Sequence, residues 1–189
     1  MTDESDEQIV ERWRVRADSS AIAALADRYL EQFFGSARAM LLTTDDAEDV
    51  AQETMLKIVR AIDAFDTSRC FRTWSYTILL NTIRSERRRQ KTLAQRLKEI
   101  ENIESYADAD PSGQVHASRD DVSQCVANAL GKLTEKQRTA LVMMVMEGHS
   151  AAEVAEMEGC SSDAIYQRIA EAKKSLRKEL SLQRLWIDT

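Results

Sequence analysis

Apolar residues recur every three or four positions through most of the chain, the period of one helix face rather than of a strand. Ile22, Leu25, Ala26, Tyr29 and Phe33 share a side over about residues 20–34, and a second short helix is expected over 36–42. Thr43-Thr44-Asp45-Asp46 is a good N-terminal cap sequence for a third helix. In that helix Ala47, Val50, Ala51, Thr54, Ile58 and Ala61 form a stripe to be buried, while Asp46, Asp49 and Glu53 share the solvated side. Residues 65–69 read as a loop. A fourth helix, from Phe71 to about Gln90, is apolar at its start and strongly basic at its end.

The pattern lapses over residues 99–131, which hold the sole proline, Pro111, beside Ser112-Gly113, and seven acidic side chains against one arginine. This reads as a linker and domain boundary, with a short helix around residues 120–130. Thr134 then caps a helix with Gln137 three residues on, the capping-box spacing, and Gly148 ends it. Ser150 opens a short helix, Gly159 closes it, and Ser161 or Ser162 caps a long final helix. In that last helix Ile165, Ile169, Ala172, Leu176 and Leu180 face a core made with Leu141, Val145, Val154 and Ala155. A short helix, a tight turn and a longer amphipathic helix make a helix-turn-helix, a motif that lays one helix in the DNA major groove. The expected fold is all-α: two small helical domains, residues 1–98 and 129–189, joined by an acidic linker over 99–128, the C-terminal domain being the helix-turn-helix.

Composition supports that fold. Five glycines and one proline in 189 residues leave too little turn chemistry for sheets. The formal net charge of −6 is unpromising for a DNA binder, but the charge is segregated. Residues 1–66 carry 7 basic and 15 acidic side chains, whereas residues 84–98 carry 7 basic and 1 acidic. Nucleic acid responds to local potential rather than to the sum. Cys70, Cys125 and Cys160 lack the close spacing of a zinc site, and only His116 and His149 could assist, so reduced or buried thiols are expected and no metal or other cofactor. The acidic N-terminus has no apolar run and is no signal peptide. Apolar stretches such as Leu141–Met146 are far too short for a bilayer, so a cytoplasmic protein with no direct membrane insertion is expected. No nucleophile, base and orienting group can be picked out, so the chain does not read as an enzyme.

Two constellations remain. On the last helix Ser162, Asp163, Tyr166, Gln167, Ala170 and Lys174 point outward; Gln167 can pair with adenine, and Arg168 or Lys174 with phosphate or guanine. Asp163 and Glu171 would repel phosphate, so binding by this domain alone should be modest and salt-sensitive. On the fourth helix Thr77, Asn81, Arg84 and Arg88 make a polar stripe, and Trp74 and Tyr76 beside it are either core or stacking platforms for an unpaired base. The acidic stripe Asp46, Asp49, Glu53 is a metal site, a docking face for a basic partner or a solvated face.

Residues 45–58, Asp-Asp-Ala-Glu-Asp-Val-Ala-Gln-Glu-Thr-Met-Leu-Lys-Ile, together with Phe65-Asp66, Phe71-Arg72-Thr73-Trp74, Asn81 and the basic run 84–89, resemble the N-terminal motifs of bacterial sigma-70-family factors of the extracytoplasmic-function (ECF) group. Leu130 to Arg138 and the helix-turn-helix resemble that family's C-terminal domain. The resemblance implies a promoter-specificity subunit of RNA polymerase that recognises −10 and −35 elements and assists DNA opening. It implies docking of Asp46, Asp49 and Glu53 on the clamp helices of the largest polymerase subunit, with a second contact to the flap. It implies −10 contacts from Asp66, Thr67, Ser68 and Arg69, whose loop would capture a flipped base, and from Thr77, Asn81, Arg84, Arg87 and Arg88. It implies −35 contacts from Ser161, Ser162, Tyr166, Gln167, Arg168, Lys173 and Lys174, and an anti-sigma factor as a further partner. Three places depart from the family pattern: Leu80 replaces a basic residue, Glu158 a commonly apolar one, and Tyr166 and Glu171 basic ones in the recognition helix. The rival readings are a stand-alone helix-turn-helix regulator and a sigma-like adaptor that binds only proteins.

Overall fold

The structure, a computed structural model, describes the backbone of residues 4–16, 18–104 and 121–187 and the side chains of 4–16, 18–97 and 126–179. The described residues are helical, with no strand among them. In order they are α1 (Asp6–Arg16), α2 (Ser19–Ala39), α3 (Thr44–Ala61), a 3-10 turn (Ile62–Ala64), α4 (Phe71–Glu104), α5 (Asp121–Gly131), α6 (Glu135–Leu141) running into a π-helical turn (Val142–Met146), α7 (Ala151–Glu158) and α8 (Ser162–Ile187).

The caps fall where the side chains require them. The Thr43 hydroxyl accepts the Asp46 amide, and Thr134 with Gln137 and Ser150 with Glu153 form reciprocal capping boxes. Gly159 ends α7 in the left-handed conformation, φ 62°, which glycine adopts without a Cβ clash.

Three expectations are corrected. The helices expected over 20–34 and 36–42 are one helix: Gly35 lies inside α2, where neighbouring Phe33, Ser36 and Ala37 are buried and their packing outweighs glycine's poor propensity. The helix ends instead at Ala39, and Leu41, two residues on, is left-handed at φ 65°. Next, α4 continues past Gln90 to Glu104, so helix occupies the start of the span read as linker, while α5 is the short helix expected around residues 120–130. Finally, Val145 is 62% exposed rather than in the core. An i→i+5 turn holds one more residue than an α turn and rotates Val145 off the buried stripe. The acidic residues 105–120, with Pro111 and His116, and the Leu180 side chain lie outside the described residues.

The N-terminal core is aromatic. Phe33 stands 5.4 Å from both Tyr29 and Tyr76, and Phe65, Phe71 and Trp74 form a second group with centroids 4.8–5.5 Å apart. Helix α1, which the apolar pattern did not announce, buries only Ile9 and Val10. It is fixed by polar contacts: Arg14 donates to the carbonyls of Ile62 and Phe65, and Glu7 accepts the Phe71 amide at 2.9 Å. In the C-terminal half Val154, Ile165, Ile169 and Ala172 are buried as expected. Arg138 is also buried, donating to the carbonyls of Leu130 and Leu133; desolvation, helped by the Arg87 cation, pulls its pKa down to about 10. The two halves touch: α7 packs on α4 and the π-helical turn packs on α2, so one continuous apolar core runs through both.

Candidate nucleic-acid interface

Helix α3 buries Ala47, Val50, Ala51, Thr54, Met55 and Ile58, which turns Asp49 and Glu53 outward to exposed positions. Asp46 is half-buried, and its carboxylate accepts the Thr43 hydroxyl, so it also serves the cap. Glu53 pairs with Lys57 one turn on at 2.8 Å. Among the described residues no group of three or more His, Cys, Asp or Glu converges as metal ligands. The stripe is thus a solvent-facing anionic surface, and it lies close enough to α4 that Asp46 and Asp49 raise the Arg89 pKa, after the larger effect of Glu86.

The loop before α4 is built on Asp66. Its carboxylate accepts the Ser68 amide at 2.9 Å and the Ser68 hydroxyl at 2.8 Å, and those two donors hold it below the ordinary carboxylate range. Asp66, Thr67, Ser68 and Arg69 are all exposed. On α4 itself Thr77 is half-buried, its hydroxyl donating to the Thr73 carbonyl. Asn81 and Arg88 are exposed, whereas Arg84 and Arg87 are half-buried. Of the two readings of Tyr76, core or stacking platform, the structure has the first: it is fully buried, with its hydroxyl bound to Glu147 and to Gln32. Trp74 is partly buried against Phe65 and Phe71.

On α8, Ser161 is the capping residue, its hydroxyl accepting the Ala164 amide at 3.2 Å. Tyr166, Gln167, Lys173 and Lys174 are exposed, Tyr166 to 60%, and Ser162 is half-buried. Gln167 donates to Glu171 at 3.1 Å, one turn along. Arg168 is turned inward, 3.5 Å from Glu158.

The contacts between the halves were not legible beforehand. Arg84 pairs with Glu158, Arg87 lies 3.6 Å from Glu135, and Arg69 pairs with Glu156. Glu147 accepts the Ser36 hydroxyl at 2.6 Å and the Tyr76 hydroxyl, and Thr73 donates to Glu153 at 3.0 Å. Of these carboxylates only Glu158 had a sequence signal: a charge where the resembling family is apolar.

His149 sits at the same junction, its ring 4.7 Å from Tyr76 and neither nitrogen hydrogen-bonded. Burial, then the Arg72 cation, lowers its pKa, against smaller opposing effects of Glu153 and Glu147. Glu153 is held down to about 2, chiefly by the Ser150 amide and hydroxyl. Both groups make stability fall in acid. A depressed histidine contributes stability above its ordinary 6.5 and loses it as pH drops through that value. A depressed carboxylate contributes above 4.5 and loses it as pH drops toward 2. The melting temperature is expected to fall between about pH 7.5 and 5.5, and again below about pH 4.5. Thermal melts check this, and His149→Gln should flatten the first decline; a wild-type melting temperature constant over that window refutes it.

An exposed anionic helix, a basic helix beside it and a separate helix-turn-helix define a class of two-part, all-helical, DNA-directed protein. Comparison with known proteins agrees. Residues 25–92 match sigma-70 region 2 and residues 123–176 match sigma-70 region 4. The RNA polymerase sigma-H factor of Pseudomonas aeruginosa is 30% identical over 186 residues, covering 95% of this chain and 96% of that protein. The ECF RNA polymerase sigma factor SigW of Bacillus subtilis is 27% identical over 171 residues, 87% of this chain and 91% of SigW. The solved structure of CnrH in complex with the cytosolic domain of CnrY superimposes with a TM-score of 0.70 at 27% identity, covering 94% and 97% of the two chains. The chain belongs to the sigma-70 family, in its ECF group, and is an RNA polymerase sigma factor. Among the described residues no helix is long and apolar enough to cross a membrane.

Proposed function

We propose that this sigma factor docks on core polymerase through Asp46, Asp49 and Glu53, with Asp49 and Glu53 as the principal charges. The exposed −10 loop, Asp66 to Arg69, holds an unpaired base, while Asn81, Arg84, Arg87 and Arg88 line the adjoining backbone. Thr77, tied to its own helix, contributes shape rather than a donor. Unstacking a base costs on the order of a few kcal/mol, so a pocket that captures it biases opening. The −35 element is read by the exposed face of α8, from Ser161 and Ser162 through Tyr166 and Gln167 to Lys173 and Lys174, and Arg168 joins once released from Glu158. The functional units are residues 1–98 and 129–189 with 99–128 between them. The polymerase supplies the chemistry and this chain supplies address, in the cytoplasm. An anti-sigma factor is the further partner, a reading supported by CnrH having been captured with another protein's domain.

The observation that carries this reading is the division of charge between two adjacent helices: α3 presents exposed carboxylates and α4 presents arginines. The experiment is reconstitution with sigma-free polymerase and genome-wide mapping of starts. Absence of new starts sinks the sigma role. Within that assay Gln167→Ala is expected to reduce discrimination among −35 sequences by about 1–3 kcal/mol, the value of one bidentate base contact. Competition between promoter variants measures it, and equal discrimination removes Gln167 from the interface.

A further inference from the structure

Glu171 lies on the exposed side of α8, and its carboxylate is held from two directions. Gln137 of α6 donates to it through Nε2 at 3.0 Å, and Gln167, one turn earlier on α8, through Nε2 at 3.1 Å. Gln137 is itself fixed, because its Oε1 accepts the Thr134 amide at 3.1 Å within the capping box of α6. A relay of hydrogen bonds thus runs from that cap through Glu171 to the recognition helix. An ionised carboxylate only accepts, so the Gln167 amide must turn its nitrogen toward Glu171 and its oxygen away. Charge-assisted bonds of this kind are roughly twice as strong as neutral ones, which favours this orientation over its reverse. One amide hydrogen is consumed. One acceptor, Oε1, and one donor, the second N–H, remain for a ligand.

That remaining pair matches a single base edge. In the major groove adenine presents the N6 amino donor beside the N7 acceptor, whereas guanine presents two acceptors, O6 and N7. A free glutamine turns its amide half a turn and meets guanine with its NH2 group. A glutamine pinned by Glu171 loses its charge-assisted bond if it does so.

We propose that Glu171 is a positioning residue for −35 recognition: it orients the Gln167 amide so that α8 selects adenine over guanine at the base pair this side chain meets. The inference rests on the reading of α8 as the −35 helix. It also gives a use to a carboxylate that stands where the resembling family carries a basic residue. Repulsion of phosphate by Glu171 is the same on every sequence, so the charge weakens binding overall while sharpening the choice of base.

The test uses the full-length chain assembled with core polymerase and duplex promoters carrying each of the four bases at every −35 position, with binding measured by competition. The wild type is expected to prefer adenine over guanine about tenfold at one position. Glu171→Ala should lower that ratio about fivefold there and leave the other positions unchanged. Glu171→Gln removes the charge but keeps an acceptor oxygen, so it should hold the ratio within about twofold of wild type. Both variants lose the same charge and should gain affinity alike on all sequences, which separates repulsion from positioning. A Glu171→Ala ratio equal to wild type overturns the proposal, as does a Glu171→Gln ratio that falls as far as that of Glu171→Ala. Gln167→Ala distinguishes the two levels. If it flattens one position while Glu171→Ala does not, positioning fails and α8 still reads the −35 element. If Gln167→Ala flattens none, the reading beneath the proposal fails.

Discussion

Asp49→Arg is expected to weaken binding to core polymerase at least about tenfold, equivalent to about 1.4 kcal/mol, without disturbing the fold. Asp49 is exposed on α3, whose opposite face is buried, so reversal of its charge touches no core atom. It makes no cap, unlike Asp46, and no intrahelical pair, unlike Glu53. At an electrostatically complementary interface a reversal turns attraction into repulsion, and like charges in contact cost several kcal/mol. Titration of labelled core polymerase at fixed ionic strength measures the effect, with circular dichroism as the check on folding. Raised salt should shrink the difference, because a surface charge is screened within about 10 Å at 0.1 M. Unchanged affinity would remove α3 from the docking surface.

Phe33→Ala should cost about 3–5 kcal/mol of stability, the range for deleting a buried aromatic ring. Phe33 has no exposure and contacts the rings of Tyr29 and Tyr76. Chains of this size lose about 2–4 °C per kcal/mol, so the melting temperature should drop by about 6–20 °C. Tyr76 leans on Phe33 and carries the hydroxyl that binds Glu147, so the contact between the halves should loosen as well. Urea denaturation monitored by circular dichroism measures the loss, and a change below about 1 kcal/mol would show that the ring cluster does not organise the N-terminal core.

The helix ends were legible because their causes are local. Thr43, Thr134, Ser150 and Gly159 act on amides and carbonyls within a few residues, and each does what its side chain dictates. The exposed acidic face of α3 and the outward face of α8 followed from periodicity alone. Helix α1 escaped notice because its attachment is made by Arg14 and Glu7 to residues about fifty and sixty positions away, and period carries no trace of such bonds. Val145 was misplaced because nothing in the run Val142–Met146 signals a π-helical turn. The pairing of Arg84 with Glu158 needed both halves to be seen together, although Glu158 had already stood out as a misplaced charge.

The length of α4 has one more effect. Its 34 residues make a rod of about 50 Å at 1.5 Å per residue. The direction of that rod, fixed at its start by the buried Phe71, Tyr76 and Leu79, decides where the chain leaves the N-terminal half. A substitution near Arg89 that bent the rod would swing its far end by many ångströms while leaving the aromatic core untouched.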